Sequence, residues 1–230
     1  MWLDAADVIQ STKIATAGQD DLRLTEAMAE QATTARVVHL RMATDGMPVR
    51  QENSHPFVTD GIGLAHNGSI VPTALLRERL SPEVLAGVRG ETDSELYLAL
   101  VRQNVRRGQS LTDAVFDAVS WLRGVYPKAS LNALILSPTE FVAVHASSFA
   151  TPPFAEFAAS GITEEEFPFE HMDAYYQLSY LRSASEAIAF SSTGIDRNGW
   201  TVLPGESVSA VDLHTLELTT RRLDATAVAP

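Results

Sequence analysis

This sequence of 230 residues contains no cysteine. That absence excludes disulfides, thiolate-based metal sites and a cysteine nucleophile within these residues. Basic side chains are also scarce: 17 Lys and Arg stand against 29 Asp and Glu, giving a formal net charge of −12 at pH 7. Nucleic acid and anionic membrane surfaces need a basic patch, so neither is expected as a partner. The only compact basic group is Arg102, Arg106 and Arg107, on a helical pattern that reads as a solvated face. No run approaches the roughly 20 apolar residues that cross a bilayer. Met1–Gln10 carries acids and lacks the apolar stretch of a signal peptide. A soluble, cytoplasmic protein is the expectation.

What is present is enough for a substantial core. Hydrophobic residues make up 45% of the chain, ample for one large domain or two small ones. No repeat and no dividing linker is visible, so a single domain over 1–230 is expected. Asp7–Ala15 alternates like a strand, and Asp20–Ala32 reads as a helix capped by Asp20 or Asp21. Helices are expected over Pro72–Leu80, over Asp93–Arg107 up to Gly108, and over Leu111–Arg123 behind a Ser110 cap. After Pro127 the period changes to strands at Ser130–Leu136, Phe141–Ala146, Gln177–Arg182, Ala187–Ser192, Ser207–Asp212 and Leu216–Arg221. Short connections make these strands antiparallel, and an α/β layered sandwich follows. Phe149–Asp173, with Pro152, Pro153, Pro168 and an acidic Glu164–Glu166 run, reads as a surface excursion.

Three blocks carry chemistry. Val37-Val38-His39-Leu40-Arg41 reads as a strand with His39 and Arg41 on one face and Val38 and Leu40 on the other. At its end, the planar fork of Arg41 suits a carboxylate. Leu64-Ala65-His66 reads as a second strand that stops at Asn67-Gly68, where a backbone N–H and a side-chain amide form an oxyanion hole when aimed at one point. Thr92-Asp93-Ser94-Glu95 opens a helix, and an Asp in its first turn can hold an ammonium group. Together these describe a pocket for a free α-amino acid whose side-chain carbonyl is attacked. Each residue also has a plainer use: Asn67-Gly68 as a turn pair, Asp93 as a helix cap, Arg41 as a structural ion-pair partner. Met42, Phe57 and Leu64 read as core. His39, His55 and His66 raise a metal site, which their unclear partners do not favour.

Three segments taken in order, His39–Thr44 with Asn53-Ser54-His55-Pro56-Phe57, then His66-Asn67-Gly68, then Thr92-Asp93-Ser94-Glu95, resemble the class II glutamine amidotransferases, their stand-alone bacterial members in particular. The resemblance runs from about Asp7 to about Leu223. It implies the N-terminal nucleophile hydrolase fold, a four-layer αββα sandwich of mainly antiparallel sheets. It implies that Arg41 binds the glutamine α-carboxylate, that Asn67 and Gly68 form the oxyanion hole, and that Asp93 binds the α-amino group. Thr44 and His55 match positions that line or support the pocket. No cofactor and no metal are implied. The ligand would be glutamine or a γ-glutamyl small molecule, and an ammonia-accepting synthetase is the implied partner.

One feature of that family is missing. Its nucleophile is an N-terminal cysteine whose free α-amine serves as the base, whereas this sequence begins Met1-Trp2-Leu3-Asp4. Its first Ser and Thr are Ser11 and Thr12, inside an expected strand. The family's first strand and a Gly-rich segment are expected to be absent here, leaving the domain N-terminally incomplete. Two readings stand: a glutaminase domain whose active form carries the cysteine upstream, or a non-catalytic relative that binds an amino acid or a partner. A superficial likeness on an unrelated α/β binding domain is the remaining alternative.

Overall fold

In a computed structural model, residues 1–14, 25–26, 33–40, 50–159, 174–184 and 187–224 are described. The architecture is built on a hairpin whose turn is Asp60-Gly61, both with positive φ (49° and 71°). This turn joins β3 (Phe57–Thr59) to β4 (Ile62–Asn67). Next come β5 (Asn132–Leu136), β6 (Glu140–His145), β10 (Ser207–Asp212) and β11 (Leu218–Arg222). These strands form one antiparallel sheet in the order β11-β10-β6-β5-β4-β3. A smaller antiparallel sheet, β8-β7-β9, is made of β7 (Ser179–Arg182), β8 (Ile188–Ser191) and β9 (Thr201–Val202). The pair β1 (Trp2–Leu3) and β2 (Ile9–Gln10) stands apart.

Strand alternation gives the large sheet two different faces. Ile62, Leu64, Ala133, Ile135, Val142, Val144, Val208 and Ala210 pack on the helices. Ala65, Leu136, Phe141, Ala143 and Val211 pack instead with Leu3, Val37, Leu178 and Leu203, from the smaller sheets and their flanking segments. The helical layer consists of α1 (Ala74–Arg79), α2 (Pro82–Leu85), α3 (Asp93–Val105) and α4 (Leu111–Val125); a short α5 (Phe154–Ala159) lies elsewhere in the chain. Helix, sheet and sheet are thus three of the four expected layers. The α/β class and the antiparallel pairing hold as read from the sequence.

The helix α3 is the most enclosed of the helices. Leu96, Tyr97, Leu98, Leu100 and Val101 are each at most 2% exposed. They cover more than the one apolar face expected, because α1, α2 and α4 pack on α3 as well as the strands β3 and β4. Burying such a side chain stabilises by about 1.5–3 kcal/mol, so α3 is a rigid support for whatever sits at its first residue. Ser110 caps α4 as expected, its Oγ accepting the Asp113 N–H at 3.1 Å.

Several expectations are corrected. Over its described part, 7–14, the strand read over Asp7–Ala15 is found only at Ile9–Gln10. Asp4 Oδ1 takes the N–H groups of Ala6 and Val8, and Asp7 adopts φ 55°, so the chain turns where the alternation suggested extension. The Val37–Arg41 strand does not form over its described part, 37–40. Hydrogen bonds fall one step earlier, from Leu3 N–H to Ala35 O and from Val37 N–H to Met1 O, with a bridge at Trp2–Arg36. The alternation itself survives, since Val37 is 4% exposed while Val38 and Leu40 are 42% and 71% exposed. Arg102 is not on a solvated face: it is buried, with Nε 3.0 Å from Asp60 Oδ2. Of the helix read over Asp20–Ala32, Thr25 and Glu26 are helical and the rest lies outside the described residues. The same is true of Met42 and of the excursion from 160 to 173.

Candidate functional site

The site forms where β4 ends. His66 and Asn67 are neighbours on a strand, so they point to opposite faces of the sheet. His66 points into the helical layer and is 2% exposed. Its Nε2 lies 2.9 Å from the Ser130 carbonyl, which can only accept, so Nε2 is the donor there. Its Nδ1 lies 3.0 Å from Ser94 Oγ. The Tyr97 ring meets it edge-on at 5.5 Å. This is a satisfied core histidine that braces the end of β4 against α3.

Asn67 lies on the other face, that of Ala65 and Leu136, which packs toward the smaller sheets. It pairs in register with Asn132. Asn132 fixes this end of the sandwich: its Nδ2 donates to Tyr176 O at 2.6 Å, and its Oδ1 accepts the Ala146 N–H at 2.8 Å. The Asn67 carbonyl accepts from Ser130 Oγ at 2.7 Å. Gly68 follows, and here only glycine fits. A Cβ at this position would run into the Ser130 carbonyl and the His66 imidazole. The close approach of two backbone segments explains this glycine, since its φ is not positive.

Asp93 is the first residue of α3, and Thr92 is the cap, its Oγ1 accepting the Glu95 N–H at 3.2 Å. Asp93 Oδ2 instead accepts the N–H of Ile70 at 2.5 Å, and Oδ1 accepts the Ser94 N–H at 2.9 Å. Its carboxylate therefore ties the loop leaving Gly68 to the helix start. Glu95 reaches back to the loop before the helix, with Oε1 and Oε2 accepting the N–H groups of Arg89 and Gly90 at 2.8 and 2.6 Å. Gly90 leaves room for the Gln51–Asn53 turn, because a Cβ there would come to 3.0 Å from Glu52 O.

The His55 block meets the same loop. Asn53 is buried, and its Oδ1 accepts the Glu91 N–H at 3.3 Å. His55 packs on His39 at 4.2 Å between ring centres and edge-on to Phe57 at 4.9 Å. The block is thereby joined to the segment that runs on toward Arg41. Arg41 and Thr44 themselves lie outside the described residues. Asn67, Gly68, Asp93 and the His55 segment are gathered at one end of the fold by the contacts Asp93–Ile70, His66–Ser94 and Asn53–Glu91.

Sequence reasoning missed several supports. Ser130 and Asn132 are invisible as partners because they lie far along the chain from β4. Ser94 stands inside the motif, yet its role depends on the facing His66. Lys13 was missed altogether: its Nζ donates to Ser54 O at 3.0 Å and lies 5.0 Å from the centre of the Phe57 ring. Partial burial holds the Lys13 amine below its usual pKa, against the opposing pull of Glu95 and Glu52. No helix among the described residues is long and apolar enough to cross a membrane.

A segment of 90 residues is 39% identical to glutamine–fructose-6-phosphate aminotransferase of Salmonella typhi. It is 39% of this chain and 14% of that relative. The Xylella fastidiosa protein of the same name is 34% identical over 131 residues, 53% of this chain and 21% of its own length. The chain therefore spans a small part of the curated relatives it matches. A solved glutamine aminotransferase class-II domain protein from Silicibacter pomeroyi superposes with TM-score 0.65 at 15% identity, over 96% of this chain and 89% of that one. That likeness is one of fold. The family model of the class-II glutamine amidotransferases matches residues 14–167, across both the motif blocks and the helices that hold them, and the chain belongs to that family.

Proposed function

We propose that this domain binds L-glutamine or a γ-glutamyl amide at the end of β4. In this reading Arg41 holds the α-carboxylate and Asp93 the α-ammonium. Asn67 Nδ2 and the Gly68 N–H face the side-chain carbonyl oxygen, and Thr44 and His55 line or support the pocket. The observation that supports it most is the cross-linking of three separated sequence blocks through Asp93–Ile70, His66–Ser94 and Asn53–Glu91. A rigid helix beneath Asp93 and a close-packed Gly68 suit donors that must stay aimed while charge develops on an oxygen.

In a form carrying an N-terminal cysteine, the thiolate attacks the δ-carbonyl and the carbonyl oxygen takes the charge between Asn67 and Gly68. The C–N bond then breaks, the nitrogen leaves as ammonia with a proton returned from the N-terminal amine, and a γ-glutamyl thioester remains. Water hydrolyses that thioester to glutamate. Ammonia passing to a synthase partner fits the relatives, whose names specify an amino transfer to fructose 6-phosphate. The alternative reading is binding without cleavage, by a form that carries no such cysteine.

Calorimetric titration with L-glutamine, D-glutamine and L-glutamate tests the proposal. Saturable binding that prefers L-glutamine is expected, and its absence would overturn the glutamine-site reading. Ammonia release from a version with cysteine as its first residue would separate the two readings. Release supports the glutaminase, and tight binding without release supports the binding protein.

A further inference from the structure

The helical layer contains a concavity unrelated to the site at β4. A cavity of about 260 Å³ opens between α1, α3 and α4, lined by Arg79, Asn104, Arg107, Gln109, Asp117 and Trp121 among others. Arg107 lies 14 residues beyond Asp93, and at 1.5 Å per residue this places the cavity roughly 20 Å along α3 from the candidate glutamine site.

Two guanidinium groups here differ from their neighbours. Arg102 and Arg106 pair with Asp60, and Arg106 also with Glu83. Arg107, from the same sequence cluster, has no ion pair among the described residues, and neither has Arg79. Both line the cavity together with a single carboxylate, Asp117. Arg79 is also held in place. Its guanidinium carbon lies 5.5 Å from the centre of the Trp121 ring. Its carbonyl accepts from Gln103 Nε2 at 3.2 Å, while Gln103 Oε1 takes the Ser81 N–H at 2.7 Å. Stacking occupies the face of the guanidinium and leaves its edge N–H groups for an oxyanion.

The opposite wall has acceptors. Gln109 Nε2 donates to Asp117 Oδ2, which fixes the amide orientation, since a carboxylate only accepts. Gln109 Oε1 is then buried without a hydrogen-bond donor among the described residues. A buried acceptor left empty costs free energy, and a ligand donor at that point removes the cost.

We propose that this cavity is a second binding site for a small molecule carrying a phosphate or carboxylate group and, a few ångströms away, a hydroxyl or ammonium donor. Arg79 and Arg107 take the oxyanion, and Gln109 Oε1 with Asp117 takes the donor. The site is independent of glutamine binding.

The test follows the Trp121 indole N–H by NMR in the full chain. Inorganic phosphate, glycerol 2-phosphate (phosphate plus hydroxyls) and glycine (carboxylate plus ammonium) are titrated at constant ionic strength balanced with chloride. A saturable shift is expected, with glycerol 2-phosphate or glycine binding more tightly than phosphate, and which of the two binds identifies the oxyanion. Arg79→Ala and Arg107→Ala should each weaken binding at least tenfold. Gln109→Ala should weaken the donor-bearing ligand and leave phosphate unchanged. Both arginines are exposed, so these variants should keep the parent melting curve. A linear, non-saturating shift through tens of millimolar, or affinities unchanged in both arginine variants, would overturn the proposal.

Discussion

Asp93 Oδ2 accepts the backbone N–H of Ile70, so the first residue of α3 holds the loop that leaves Gly68. One carboxylate is thus asked to do two things, to shape the loop and, in the proposed function, to receive an ammonium.

Substitution separates the two tasks. Asp93→Asn keeps an acceptor for Ile70 and removes the charge. Its stability should change by less than about 1 kcal/mol, while glutamine affinity falls at least tenfold, about 1.4 kcal/mol. Asp93→Ala removes both and should also lower the denaturation midpoint. Calorimetry and urea unfolding of both variants check this. Equal glutamine affinity in Asp93→Asn and the parent would remove Asp93 from the ligand.

Gly68→Ala places a methyl group against the Ser130 carbonyl and the His66 ring. Neither can swing away, because Ser130 O and His66 Nε2 are bonded to each other at 2.9 Å and Ser94 holds the far side of the ring. Overpacking of this kind costs about 1–3 kcal/mol. Thermal unfolding should show it as a clear fall in Tm, whereas Gly124→Ala, with nothing near its added Cβ, should not.

Much of this frame was legible in the sequence, because it rests on short-range signals. The cap at Ser110 and the periodicity beyond it give a helix expected at Leu111–Arg123 and found at Leu111–Val125. Ser207–Asp212 is found as read. The motif blocks were visible as well, and the geometry adds what binds them together. What sequence periodicity cannot carry is the identity of distant partners. Arg102 looked solvated until Asp60, on a hairpin turn far from it in the chain, was seen beside it. His66 had no visible partner in the sequence, and Ser94 and Ser130 take both its nitrogens. The Asp4 carboxylate, with backbone hydrogen bonds from Asp7 N–H to Asp4 O and from Asp4 N–H to Val8 O, turns the chain at Asp7, since a carboxylate that captures nearby N–H groups competes with extension.

Arg123 is fully buried, and its guanidinium meets Glu206 at 2.8 and 3.2 Å while Nη1 donates to the carbonyls of Pro127 and Ala129. Glu206→Ala strands a buried cation and should cost about 3–5 kcal/mol. Replacing both partners, as in Arg123→Met with Glu206→Leu, should cost markedly less, because no charge is left unpaired. Urea midpoints at constant slope measure both. A double variant as unstable as the single one would show that the pair's backbone hydrogen bonds, rather than its charges, hold the end of α4.

His145 gives the fold a pH dependence of known sign. Burial holds its imidazole below the ordinary 6.5, while the Leu203 carbonyl and, more weakly, Glu206 pull the other way. The unfolded chain therefore takes up a proton at a pH where the folded one does not. The His145 contribution is then full above about 6.5 and declines as pH falls below it, until the buried ring is also protonated. The buried Met1 amine, lowered to about 6, adds a decline of the same sign that begins near 8. The Nδ1 contact to Leu203 O, at 2.9 Å, marks where the protonated ring would have to be accommodated between β6 and the segment entering β10. Urea unfolding at intervals between about pH 7.5 and 5 should show this slope in the parent, and His145→Gln should flatten it without abolishing folding. An unchanged slope in that variant would assign the acid sensitivity to another group.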